Sequence, residues 1–98
     1  MVTTIIWTEK GQRELIEILK YWNHRNKSKS FSARLNKLIE EQLNLISEFP
    51  KIGRTTDIPN VKVKVVHKYL LYYEIIEDVL YVLTLRHGSA DPKSLKIR

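Results

Sequence analysis

The sequence contains no cysteine. That excludes a disulfide framework, a thiolate nucleophile and thiolate-ligated zinc, and makes a reducing compartment the expected setting. Glycine and proline occur three times each and never cluster, so no glycine-rich loop is present to cradle a phosphate. Long hydrophobic runs are missing too. The longest are of strand length, which excludes a helix that spans a bilayer. The opening MVTTIIWTEK has neither the basic start nor the small-residue cleavage site of a secretory signal, so a cytoplasmic location is expected. There are no internal repeats, low-complexity tracts or linkers. With 98 residues and 43% hydrophobic content, the chain is expected to form one domain over residues 1–98, with 87–98 as a polar C-terminal arm or a strap.

Acidic residues are the scarcer charge, 11 against 17 Lys and Arg, leaving a net charge of +6. The excess is concentrated in three segments. Residues 25–39 carry Arg25, Lys27, Lys29, Arg34 and Lys37 with no acid; residues 51–68 carry Lys51, Arg54, Lys62, Lys64 and Lys68 against Asp57; residues 86–98 carry Arg86, Lys93, Lys96 and Arg98 against Asp91. Converging on one face, they would attract nucleic acid or an acidic protein; dispersed, they are the solvated surface of a basic protein.

The β-branched and aromatic run from Thr3 to Trp7 predicts a strand, and Thr8 is placed to cap a helix. Gly11, Leu15, Ile18, Leu19 and Trp22 recur at steps of three and four, with Ile16 beside them. They form one stripe of that helix, with Glu14, Glu17 and Lys20 turned to water. Glycine on the stripe points to close packing. Residues 23–30 are wholly polar and read as a loop, after which Phe31, Leu35, Leu38, Ile39, Leu43, Leu45, Ile46 and Phe49 form the apolar face of a second helix, stopped by Pro50 and Gly53. Beyond residue 60 the period falls to two: residues 61–66, 69–76 and 79–86 predict three strands joined by short turns. The order β-α-α-β-β-β predicts an α+β fold with a helical hairpin packed on one face of a small, mainly antiparallel sheet.

Alternation is expected to send Val61, Val63 and Val65 into the core and Lys62 and Lys64 outward, where Arg54 and Arg86 complete a cationic floor. Arg86 shares the parity of Val82 and Thr84. Tyr72 and Tyr73 point to opposite faces, so one can stack on a base while the other packs inside. His87, Ser89 and Asp91 alternate, but neighbours on one extended segment do not reach triad geometry. His24, His67 and His87 show no ligand spacing, so no metal or other cofactor is expected. His87 beside Arg86 suits proton transfer.

In order and spacing, IIWTEKGQRELIEILKYW, LISEFPKIGR, VKVKVV, YLLYYEI and VLYVLTLRHGSADP resemble the RelE/ParE superfamily of toxins from bacterial type II toxin-antitoxin modules, also described as plasmid stabilisation proteins. The resemblance covers nearly the whole chain. It implies a growth inhibitor neutralised by a cognate antitoxin, with operator DNA bound only through the antitoxin complex. RelE-like members cut mRNA on the ribosome; ParE-like members inhibit DNA gyrase without nuclease residues. Carried over, the nuclease pattern matches Lys62 and Lys64 on the basic strand and Arg54 in the loop, with Arg86 near the C-terminal basic position. It departs at Leu70 and Ala90, where nuclease members often carry basic residues. Ribosome-dependent cleavage would then use Arg86, His87 and Tyr72 as catalytic groups and Arg54, Lys62 and Lys64 as the RNA-phosphate clamp. The alternatives are a gyrase inhibitor and a decayed toxin that retains only antitoxin binding.

Overall fold

The computed structural model describes residues 2–26 and 29–89. Seven elements follow in chain order: β1 (Thr4–Trp7), α1 (Glu9–Asn26), α2 (Ser30–Glu48), β2 (Arg54–Thr55), β3 (Val61–Val66), β4 (Tyr69–Ile76) and β5 (Val79–His87). The strands form one sheet in the order β1-β5-β4-β3-β2. Only β1 and β5 pair in parallel, joined through all the elements between them; the other pairs are antiparallel. The α+β order expected from the sequence is the one observed, with the two-residue β2 added at the edge. No helix among the described residues is long and apolar enough to cross a membrane.

Glu77 and Asp78 both have positive φ (48° and 67°), the backbone of a two-residue turn whose twist matches the strands on either side. The β3–β4 turn is equally short, with His67 at φ 58°. These two turns set the register of the meander. On one face Leu35, Ile39, Leu43 and Ile46 of α2 pack with Val66, Tyr69, Leu71, Tyr73, Leu80, Val82 and Leu85 of the strands. Leu15, Ile18, Leu19 and Trp22 of α1, with Ile5 and Trp7 of β1, close the cluster's margin. The apolar stripes extend less far than the sequence suggests: Ile16, Leu38 and Phe49 remain 44%, 41% and 57% exposed. The Trp22 indole donates to the Tyr69 hydroxyl at 2.7 Å, which satisfies the polar ends of both rings at the core's margin.

β1 ends at Trp7, paired with Val82, and from there on α1 replaces it along the edge of β5. A bulge interrupts β4–β5 pairing at this point: Tyr73 faces Val82, Tyr72 faces Thr84, and Leu83 is the extra residue. Glu14, expected to face water, fills the gap in the ladder. Its Oε1 accepts from the Thr84 hydroxyl at 2.6 Å and from the Leu85 N–H at 3.4 Å, while Lys10 lies 3.3 Å from the other oxygen. Thr84 is 1% exposed, so Thr84→Val leaves the carboxylate one donor short in a mostly dry place. We expect a loss of about 1.5 kcal/mol in urea unfolding, the scale of a hydrogen bond to a charged group; an unchanged midpoint would show that water replaces the hydroxyl.

Candidate functional site

Directly paired residues in an antiparallel sheet lie on the same face, so the register assigns every candidate side chain to a side. Lys62 pairs with Tyr73, Lys64 with Leu71 and Val66 with Tyr69, all three partners belonging to the core. The two lysines therefore lie on the helix-bearing face, the reverse of the side expected from valine alternation. Val63 and Val65 take the opposite face with Tyr72 and Leu70, and Val65 is 52% exposed. The physical reason is that α2 makes little contact with β3, so the helix-bearing side of this strand is only half-covered and long cationic stems fit there. Val61, although buried, lies outside the main cluster and lines a hollow with Thr56, Ile58 and Pro59.

Arg54 lies on the neighbouring edge strand β2, where it faces Val63 and so takes the side away from the lysines, while Thr55 faces Lys62. The preceding turn is held by Tyr73: its hydroxyl donates to the Pro50 carbonyl at 3.1 Å and accepts from the Gly53 N–H at 3.0 Å. A Cβ on Gly53 would lie 2.5 Å from that hydroxyl, which explains glycine at the position. Burial pushes the Tyr73 phenol up from its ordinary value, partly offset by the Gly53 N–H. Sequence reasoning left open which tyrosine packs inside; it is Tyr73, and it also organises the basic turn.

Tyr72 and Arg86 lie across the sheet from the lysines. Tyr72 pairs with Val63 and Thr84, and Arg86 pairs with Leu70, on the face away from the lysines; at the β5 edge Arg86 also lines a hollow with Glu14, Glu17 and Tyr21 of α1 and with His87. The bulge at Leu83 also separates Arg86 from Val82: the two share sequence parity, but Val82 is a core residue facing Tyr73. His87 returns to the helix side, opposite Tyr69, with ring centroids 5.7 Å apart. Its Nδ1 accepts from the Ser89 N–H at 3.1 Å and lies 2.7 Å from the Ser89 hydroxyl, so the neutral ring carries its proton on Nε2. Lys62 and Lys64 thus share the helix-bearing face, whereas Arg54, paired with Val63, stands with Tyr72 and Arg86 on the other face, and His87 lies at the far end of β5. Ala90 and the remainder of the C-terminal arm lie outside the described residues.

Residues 5–92 match the family model described as the ParE toxin of the type II toxin-antitoxin system, parDE. The chain belongs to this family. Among solved structures it is similar to one titled as a chromosomal ParDE toxin-antitoxin system from P. aeruginosa, with a TM-score of 0.73 and 15% identity over 89% of this chain and 96% of that one. At that identity the likeness is one of fold. No curated protein matches the chain. Family membership places the hairpin, the five-stranded sheet and the basic β2–β3 edge within a ParE-type toxin.

Proposed function

We propose that this ParE-family toxin arrests growth by holding a protein target, DNA gyrase, rather than by cutting mRNA, and that a cognate antitoxin neutralises it. The observation that supports this is the division of the nuclease candidates. Cleavage at a 2′-hydroxyl needs a base, an acid and cations around one phosphate. Here Lys62 and Lys64 are on the helix-bearing face while Arg54, Tyr72 and Arg86 are on the opposite one. His87 lies on the helix side at the far end of β5, with Nδ1 turned to Ser89 and away from the lysines. Lys62 and Lys64 on one face, and Arg54 on the other side of the adjoining edge, then serve as binding cations for acidic protein surface.

Two assays with the full chain separate the readings. Purified protein is expected to inhibit supercoiling by gyrase and to produce no new mRNA 5′ ends in a translating ribosome extract. Ribosome-dependent cuts that disappear in His87→Ala and in Lys62→Ala/Arg86→Ala would overturn the proposal in favour of mRNA cleavage. A folded preparation that neither cuts, nor inhibits gyrase, nor slows growth on plates would overturn the proposal in favour of a decayed toxin, and its binding to the antitoxin would then show what is retained.

A further inference from the structure

The turn between α2 and β2 displays apolar surface at the basic β2–β3 edge. Phe49, the residue that closes α2, is 57% exposed, the highest value among the large apolar side chains described, and Ile52 is 42% exposed. Glu48, Phe49, Pro50, Lys51 and Ile52 line one shallow, largely apolar depression. Apolar residues on a surface turn can usually move with a pliable backbone to cover themselves, but here the backbone that carries them is held. The Phe49 N–H donates to the Leu45 carbonyl at 2.9 Å, the Ile52 N–H donates to the Phe49 carbonyl at 3.0 Å, and the Tyr73 hydroxyl bonds both Pro50 and Gly53 from inside the core. The fold thus holds two large hydrophobes in water on a turn it cannot relax.

The geometry points to this knuckle, Phe49 and Ile52 flanked by Lys51 and Arg54, as the anchor by which the chain grips its target: an acidic segment of the target protein carrying an apolar side chain. The charge selects the occupant. Lys51 and Arg54 are exposed beside the pair, and Lys62 lies opposite Thr55 on the adjoining strand, against Glu48 and Asp57. Preorganisation selects the target over the antitoxin. Two rigid anchors contribute most on a small patch of a folded partner, because little entropy is lost in placing them. A segment that orders as it binds spreads its energy over a large area and depends less on any one turn. This inference rests on the reading of the chain as a toxin that holds a protein.

The test uses the full chain carrying Phe49→Ser/Ile52→Ser, with Arg54→Glu as a second variant that leaves the apolar pair intact. Both change exposed side chains, and thermal melting by circular dichroism checks that the fold persists. The expected result is loss of growth arrest on plates and a rise of at least about thirtyfold in the concentration that half-inhibits gyrase, the effect of removing an interface hot spot. Undiminished growth arrest by the folded double variant overturns the inference and leaves the knuckle to another occupant such as the antitoxin. Wild-type protein that arrests growth without touching gyrase overturns the gyrase reading alone, since plating of the same variants still decides the knuckle. A wild-type chain that does not slow growth overturns both.

Discussion

Tyr73→Ala is expected to lower the free energy of unfolding by about 4 kcal/mol, the cost of emptying an aromatic-sized space in a packed core. Tyr73 is 1% exposed and sits among Leu71, Val82 and the buried face of α2. Against a total of about 5 to 15 kcal/mol for a domain of this size, the variant is marginal, and its melting temperature should fall by about 20 °C. Tyr73→Phe separates the ring from its hydroxyl. It keeps the packing but strands the Gly53 N–H and the Pro50 carbonyl, for an expected loss of about 1.5 kcal/mol. It also removes a pH dependence whose sign is fixed. Burial raises the folded phenol above its ordinary value of 10.0, so the unfolded chain loses this proton first as pH rises. The contribution is fully present below pH 10 and is lost as pH rises through the folded value. Urea unfolding at pH 9 and pH 11 should therefore narrow the gap between wild type and Tyr73→Phe at the higher pH. A gap that is constant or widens would show that the hydroxyl is not buried in the folded state.

The element order was legible because each segment has its own period and its own stop. Thr8 caps α1, Pro50 and Gly53 end α2, and Glu77-Asp78 closes the last hairpin. Gly11 on an apolar helical stripe signalled a close approach, and the structure provides one. The facing of β3 was not legible. VKVKVV alternates as if valine marked the core, yet a strand at the margin of a helical layer buries its helix-bearing side only where a helix overlies it. Register decides the matter, and register comes from the turn at His67: counted back from it, Val66, Lys64 and Lys62 fall opposite Tyr69, Leu71 and Tyr73. The β5 bulge is hidden in the same way. Leu80, Val82, Thr84 and Arg86 have one parity in sequence and two faces in space, because Leu83 inserts where α1 takes over from β1.

The facing of β3 and the β5 bulge together decide where the candidate side chains lie. A floor of Arg54, Lys62, Lys64 and Arg86 requires four cations on one side, and the register moves both Arg54 and Arg86 to the face opposite the lysines. What sequence reasoning passed over is the turn. By spacing Phe49 belongs with the helix's apolar face, but α2 ends at Glu48 and Phe49, which closes it, is more than half exposed. The available signal was the chemistry of FPKIGR, in which two large hydrophobes alternate with proline and cations rather than with small polar turn residues.

Gly11→Ala should destabilise the fold by about 3 kcal/mol, although alanine is the better helix former by about 1 kcal/mol. A Cβ on Gly11 would meet the Val82 carbonyl oxygen at 2.7 Å and the Thr8 hydroxyl at 3.3 Å. The first neighbour is the backbone of a central strand and cannot swing aside, so the start of α1 must lift off β5. That shift strains several bonds together: Thr8 N–H to Val82 O at 3.1 Å, the Thr8 hydroxyl to Val82 O and Leu83 O at 2.9 and 3.1 Å, and Gly11 N–H to the Thr8 hydroxyl at 3.1 Å. Overpacking of about 1 to 3 kcal/mol and about 1 kcal/mol for each weakened bond together outweigh the propensity gain. A melting temperature lower by about 15 °C is the expected reading, and a rise would show that the helix slides along β5 without cost. Thr8→Val tests the linkage. Because both changes act on the same junction, the double variant should lose less than the two single losses combined, whereas full additivity would mean that the glycine and the cap act independently.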